Sequence, residues 1–120
     1  MVISFQSDKA RKHLLEHGRV YTFRKTRRKQ FIKLEKERGR VWFEATRPGI
    51  IDWANEGRTK PKFSDVLIHE VGKLGVDDLL PYVQWSGFSD LNDWHHEIRG
   101  LNKYLEPDGW LYMVDLFVRA

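Results

Sequence analysis

Apolar residues recur along this chain in two rhythms, and the changes between them mark its elements. Val2-Ile3-Ser4-Phe5 reads as an opening strand. Ser7 stands where its hydroxyl can accept from the free N–H groups of a helix over residues 8–17. That helix places Ala10 and Leu14 on one face with Leu15 beside them, and Gly18 suits the left-handed position that ends it. From Arg19 the period becomes two. Val20, Thr22 and Arg24 point one way, and Arg19, Tyr21 and Phe23 the other. Beyond a basic segment and Gly39, residues 40–46 (RVWFEAT) read as another strand.

Residues 47–62 hold two Pro and two Gly and are expected to be mostly loop, with Ile50, Ile51 and Trp53 anchoring a short turn. Phe63 to Val71 reads as a strand with Val66, Ile68 and Glu70 on one face, and Gly72 and Gly75 bracket a turn. Val76 to Leu80 reads as one or two helical turns before Pro81. Ser89 is expected to cap a helix whose Leu91, Trp94, Ile98 and Leu101 form one continuous stripe, with Asp90 and Asp93 near its positive end. Pro107-Asp108-Gly109 makes a turn, and Trp110 to Val118 is a last strand, apolar enough to be buried on both faces. The predicted order is β-α-β-β-β-α-α-β, with no repeat and no linker. Strands not separated by regular helices argue against a doubly wound parallel sheet. The expectation is a single α+β domain over residues 1–120, a small mixed β-barrel with flanking helices.

Charge changes the picture most. Residues 1–62 carry +10 and residues 63–120 carry −6. Such polarity suggests a basic face that meets a polyanion, nucleic acid first. The densest run, Arg24 to Arg40, includes Lys25, Arg27, Arg28 and Lys29 against only Glu35 and Glu37. Two other readings compete: the basic run pairs with the acidic half of the same domain, or that acidic half meets a protein partner. The chain has no Cys, which rules out a disulfide scaffold and Cys-based zinc. It has no apolar run of membrane-span length, and its first residues lack the pattern of a signal peptide, so a cytoplasmic setting without a membrane partner is expected.

Several of these pieces together resemble a known family, the activating signal cointegrator homology (ASCH) domains of the PUA-like superfamily. The resemblance lies in the N-terminal strand and helix, in Gly18-Arg19-Val20-Tyr21-Thr22-Phe23-Arg24, which is similar to the family's G-x-K-x-x-x-x-R element, and in the Leu-rich turn after Val66. It extends to Phe88-Ser89-Asp90-Leu91 leading to Trp94 and to the closing strand from Trp110. It implies a PUA-like barrel with a cleft beside the Thr22/Arg24 strand, used for RNA or a nucleotide-like ligand. Some members resemble amidohydrolases that use a Lys, a Thr and a Glu. Here Arg19 stands in the Lys position, and Trp85-Ser86-Gly87-Phe88 offers no carboxylate, so that activity is not transferred.

The residues themselves agree with a binding module. Arg19 and Arg24 suit phosphate, Lys25, Arg27, Arg28 and Lys29 extend the charge, and Tyr21, Trp42 and Trp53 offer stacking surfaces. A guanidinium at Arg24, on the face of Val20 and Thr22, needs an anionic partner: a ligand phosphate, or one of Asp65, Glu70 and Asp115. The alternative is a metal-independent ribonuclease or nucleoside amidohydrolase in the same cleft, with Thr22 or Tyr21 as catalytic candidates and His69 and Lys25 as helpers. His13-Leu14-Leu15-Glu16-His17 spells H-x-x-E-H, but it reads as an exposed helix end where the dipole favours His, and His95-His96 as surface. No metal site and no cofactor is assigned.

Overall fold

A hydroxyl and a glycine fix the first helix. The computed structural model describes residues 2–103 and 105–117. After β1 (Val2–Ser4), α1 (Asp8–His17) starts where Ser7 Oγ accepts from Ala10 N at 3.4 Å and stops at Gly18. Gly18 adopts φ 79°, a conformation that a side chain would strain, and its N–H donates to Leu14 O. β2 (Arg19–Arg24) follows with its expected alternation: Val20 and Thr22 are buried.

The basic segment departs from expectation. It forms α2 (Lys29–Arg38), and residues 40–46 form α3 (Arg40–Thr46) rather than a strand, with Gly39 between them. β-type residues lose to tertiary packing here. A strand would place Val41 and Phe43 on one face; the helix buries Phe43 and leaves Val41 84% exposed. Phe43 meets Phe31 edge-on, and Phe31 lies 5.7 Å from Tyr112, so the α2–α3 hairpin closes one end of the sheet.

The expected loop at 47–62 is also corrected: Gly49–Asn55 is a strand, β3. Pro48, Gly57 and Pro61 lie outside it and Gly49 opens it, and inside it Asp52 and Ala54 are buried while Ile51 and Trp53 are exposed, a period of two. β4 (Lys62–Gly75) runs through the expected turn at Gly72, because a bulge between Glu70 and Gly72 lets the strand bend and continue. A 3-10 segment (Val76–Trp85) carries Pro81 within it. α4 (Leu91–Asn102) is capped by Asp90, not Ser89: Asp90 Oδ1 accepts from Asp93 N at 2.7 Å, while the Ser89 hydroxyl donates to Asp93. β5 (Asp108–Leu116) begins earlier than expected, and Val118, assigned to this strand from sequence, lies outside the described residues.

The observed order, β-α-β-α-α-β-β-(3-10)-α-β, replaces the predicted one; the α+β class and the mixed curled sheet stand. The five strands lie in the order β1-β3-β4-β5-β2, with β1 parallel to β3 and the other pairs antiparallel. Register sets Val20, Val114 and Ile68 in one row and Thr22, Tyr112 and Glu70 in the next, on an inner face that is buried throughout. The sheet curls into a half-barrel whose edges, β1 and β2, come within one side chain of each other: Arg24 Nη2 donates to Ser4 O at 2.9 Å. Among the described residues no helix is long and apolar enough to cross a membrane.

Candidate anion-binding cleft

The near-closure of the half-barrel makes a cleft of ≈ 280 Å³. The end of β1 and the start of α1 form one wall, the edge of β2 the floor, and Ile98, Leu101 and Asn102 of α4 the other wall. Phe5 and Phe23 make its sides apolar, and Ser4, Gln6 and Thr22 supply neutral polar groups.

Arg24 is the charge at the bottom. Nε donates to Thr22 Oγ1 at 3.0 Å, Nη2 to Ser4 O, and the guanidinium lies 5.4 Å from the centre of the Phe5 ring. None of these partners is anionic, and among the described residues no carboxylate lies in ion-pair reach of Arg24. Nη1 makes no hydrogen bond to a described residue, and Arg24 lines the cleft. Burial, reinforced by the positive charge of Arg28, lowers its pKa to about 10; it remains a cation at neutral pH. The Thr22 hydroxyl accepts from Arg24 and so keeps its own proton available to donate. Lys25 stands at the rim, exposed, with Glu106 at 3.6 Å.

The other basic candidates do not gather there. Arg19 sits at the far end of β2, roughly 17 Å along the strand, bound to Asp115 by bonds of 2.6 and 3.2 Å that raise its pKa further. Arg27 is bidentate on buried Glu70 (2.7 and 3.0 Å), also reaches Glu35, and lies over Trp110 and Phe43. Arg28 binds buried Asp52 at 2.9 Å, and its backbone N–H donates to Tyr112 Oη. Lys29 is exposed at the start of α2. Much of the sequence asymmetry is thus folded onto itself: Arg19–Asp115, Arg27–Glu70, Lys25–Glu106 and Lys9–Asp93 all join the basic half to the acidic one.

The three carboxylates offered as partners for Arg24 are engaged elsewhere: Asp65 with Lys62, Glu70 with Arg27, Asp115 with Arg19. Tyr21 points away from Thr22 along the strand, and its ring lies 5.0 Å from that of Tyr82. His69 shares the sheet row of Tyr21 across Met113, about 10 Å away over two strand spacings, with its Nδ1 buried and unpartnered. Neither residue lines the cleft, so the nuclease candidates Tyr21, His69 and Lys25 are not assembled. Trp53 lies 36% exposed on the outer face of β3, opposite Val2 and Asp65, also outside the cleft.

Two contributors escape the sequence reading. Ser4 O and the Phe5 ring meet Arg24 only because the sheet edges approach, which no local pattern signals. Asp52, the partner of Arg28, was missed with β3; its signal was the inward position it holds in the alternation of residues 49–55. Comparison with models of protein families finds no match to this chain, and neither curated proteins nor solved structures give a significant one.

Proposed function

We infer that this domain binds RNA or a nucleotide through the cleft between β1 and β2, with a phosphate on Arg24, and that the ASCH-like, PUA-like resemblance extends to this use. One observation carries the reading: Arg24 is a cation lining the cleft whose described partners are all neutral, while Arg19, Arg27 and Arg28 are each held by a carboxylate. A desolvated guanidinium favours an incoming anion, and a phosphate can take two of its N–H groups at once. Lys25 adds charge at the rim, and Phe5, Phe23 and Leu101 offer apolar surface to a base or sugar. The volume is at the low end for small-molecule sites, which suits one nucleotide rather than a threaded chain.

Binding is favoured over catalysis by the lining itself. Among the described residues lining the cleft there is no carboxylate and no imidazole; Glu97 shares with Thr22 and Tyr21 only an adjoining hollow of ≈ 40 Å³, too small to admit a substrate. Fluorescence anisotropy with a labelled single-stranded RNA tests the reading. The expected result is micromolar or tighter binding at low salt that weakens steeply as salt rises and falls at least about tenfold in Arg24→Met. Absent or salt-insensitive binding, or binding unchanged in Arg24→Met, rejects it.

A further inference from the structure

The H-x-x-E-H stretch acquires a geometry that its spelling does not contain. His13 and His17 lie one turn apart on α1, and their ring centroids are 4.5 Å from each other. His13 Nδ1 is 2.8 Å from Arg19 O. A carbonyl oxygen only accepts, so Nδ1 carries the proton, and the lone pair of the neutral ring is left on Nε2. This is the arrangement in which a backbone carbonyl orients a metal-binding imidazole. Trp85 holds both rings edge-on, 5.7 Å from His13 and 6.3 Å from His17. It is brought there because the chain crosses α1 at Gly87, where a side chain's first carbon would lie 2.5 Å from Lys9 O. The neighbouring cations are already paired: Lys9 with Asp93 at 2.9 Å and Lys12 with Glu16 at 3.8 Å.

We propose that His13 and His17 form a two-imidazole site for a divalent transition-metal ion of the Ni2+, Cu2+ or Zn2+ class. Among the described residues no group of three metal-ligating side chains stands together, so water completes the coordination sphere. The open positions face a hollow of ≈ 540 Å³ beside α1. Imidazole nitrogen suits these ions, and because the carboxylates of the hollow, Glu16 and Asp93, are paired with Lys12 and Lys9, the site disfavours Mg2+ and Ca2+. It lies apart from the Arg24 cleft, and its fate is independent of that reading.

Ni2+ titration of the intact protein tests it, read by calorimetry and by tryptophan fluorescence, because Trp85 touches both ligands. Wild type is expected to bind one ion with saturable quenching, and excess Mg2+ is expected to have no effect. His17→Ala removes an exposed side chain that makes no described hydrogen bond, so the fold tolerates it; its half-saturation should rise at least about tenfold. His13→Ala should do the same. Trp85→Phe should keep the calorimetric affinity and lose most of the quenching. No binding at millimolar Ni2+, unchanged affinity in His17→Ala, or undiminished quenching in Trp85→Phe would each overturn the proposal.

Discussion

Arg24 and Arg27 lie three positions apart, yet one lines an open cleft among neutral described partners while the other is clamped between Glu70 and Glu35. Both come from the same basic run, and although Arg24 shares a strand face with Thr22, nothing in the sequence says that Arg27 is the one a carboxylate will hold. The difference follows from which strand lies across from each. Arg27 folds over the end of the sheet onto the inward carboxylate of β4, closed by Phe43 and Trp110. Arg24 reaches toward β1, the opposite edge, where among the described residues a backbone carbonyl and a phenyl ring meet it. Proximity of charges in sequence therefore says little about which charges a ligand can use. At the closed end they hold the fold together; at the open edge one is left over.

Substitutions should separate the two regions, the largest effect first. Arg27→Met leaves Glu70 buried without its bidentate partner, and urea denaturation should show a loss of about 3–5 kcal/mol. Arg24→Met should change stability by less than about 1 kcal/mol, because relief of a desolvated cation offsets two lost hydrogen bonds, while ligand affinity drops. A large stability loss in Arg24→Met would make the two arginines equivalent and erase the distinction.

Alkaline pH sharpens the comparison. Arg24 has a folded pKa lowered to about 10, below that of the unfolded chain, so above pH 10 the folded state releases a proton first, and stability rises with pH through that window. Tyr112 is the reverse: burial, helped by the charge of Glu70, lifts its hydroxyl to about 12 from 10.0. The unfolded state ionises first, and stability falls between pH 10 and 12. The two trends oppose each other in wild type. Arg24→Met should therefore lose stability more steeply over that range, as thermal melts at stepped pH would record. Parallel curves for the two proteins would count against a desolvated Arg24. The smallest effect is expected at Lys29, exposed on α2: Lys29→Ala should lower the salt slope of RNA binding by about one at most, with little change in stability.

Where local chemistry decides structure, the sequence was readable. Ser7, Gly18 and the alternation of residues 19–24 define α1 and β2 to the residue. Where packing against distant strands decides, it was not. Val41-Trp42-Phe43 looks like a strand, yet Trp42 takes Arg38 over its ring at 4.2 Å and Phe43 plugs the sheet end, both from a helix. Pro48 and Gly57 hid β3 because they flank a real alternation. The cleft was half legible: Thr22 and Arg24 share a face of β2, but the pairing of Arg19, Arg27 and Arg28 depends on contacts spanning 24 to 96 residues.

The central claim is that the cleft's uncompensated guanidinium recognises a phosphate. Calorimetric titration of a nucleoside 5′-monophosphate into wild type and Arg24→Met at low salt tests it most directly. Saturable binding to wild type, weakened at least about tenfold in the variant, is the expected result. Equal affinity for both proteins, or none for either, would contradict it.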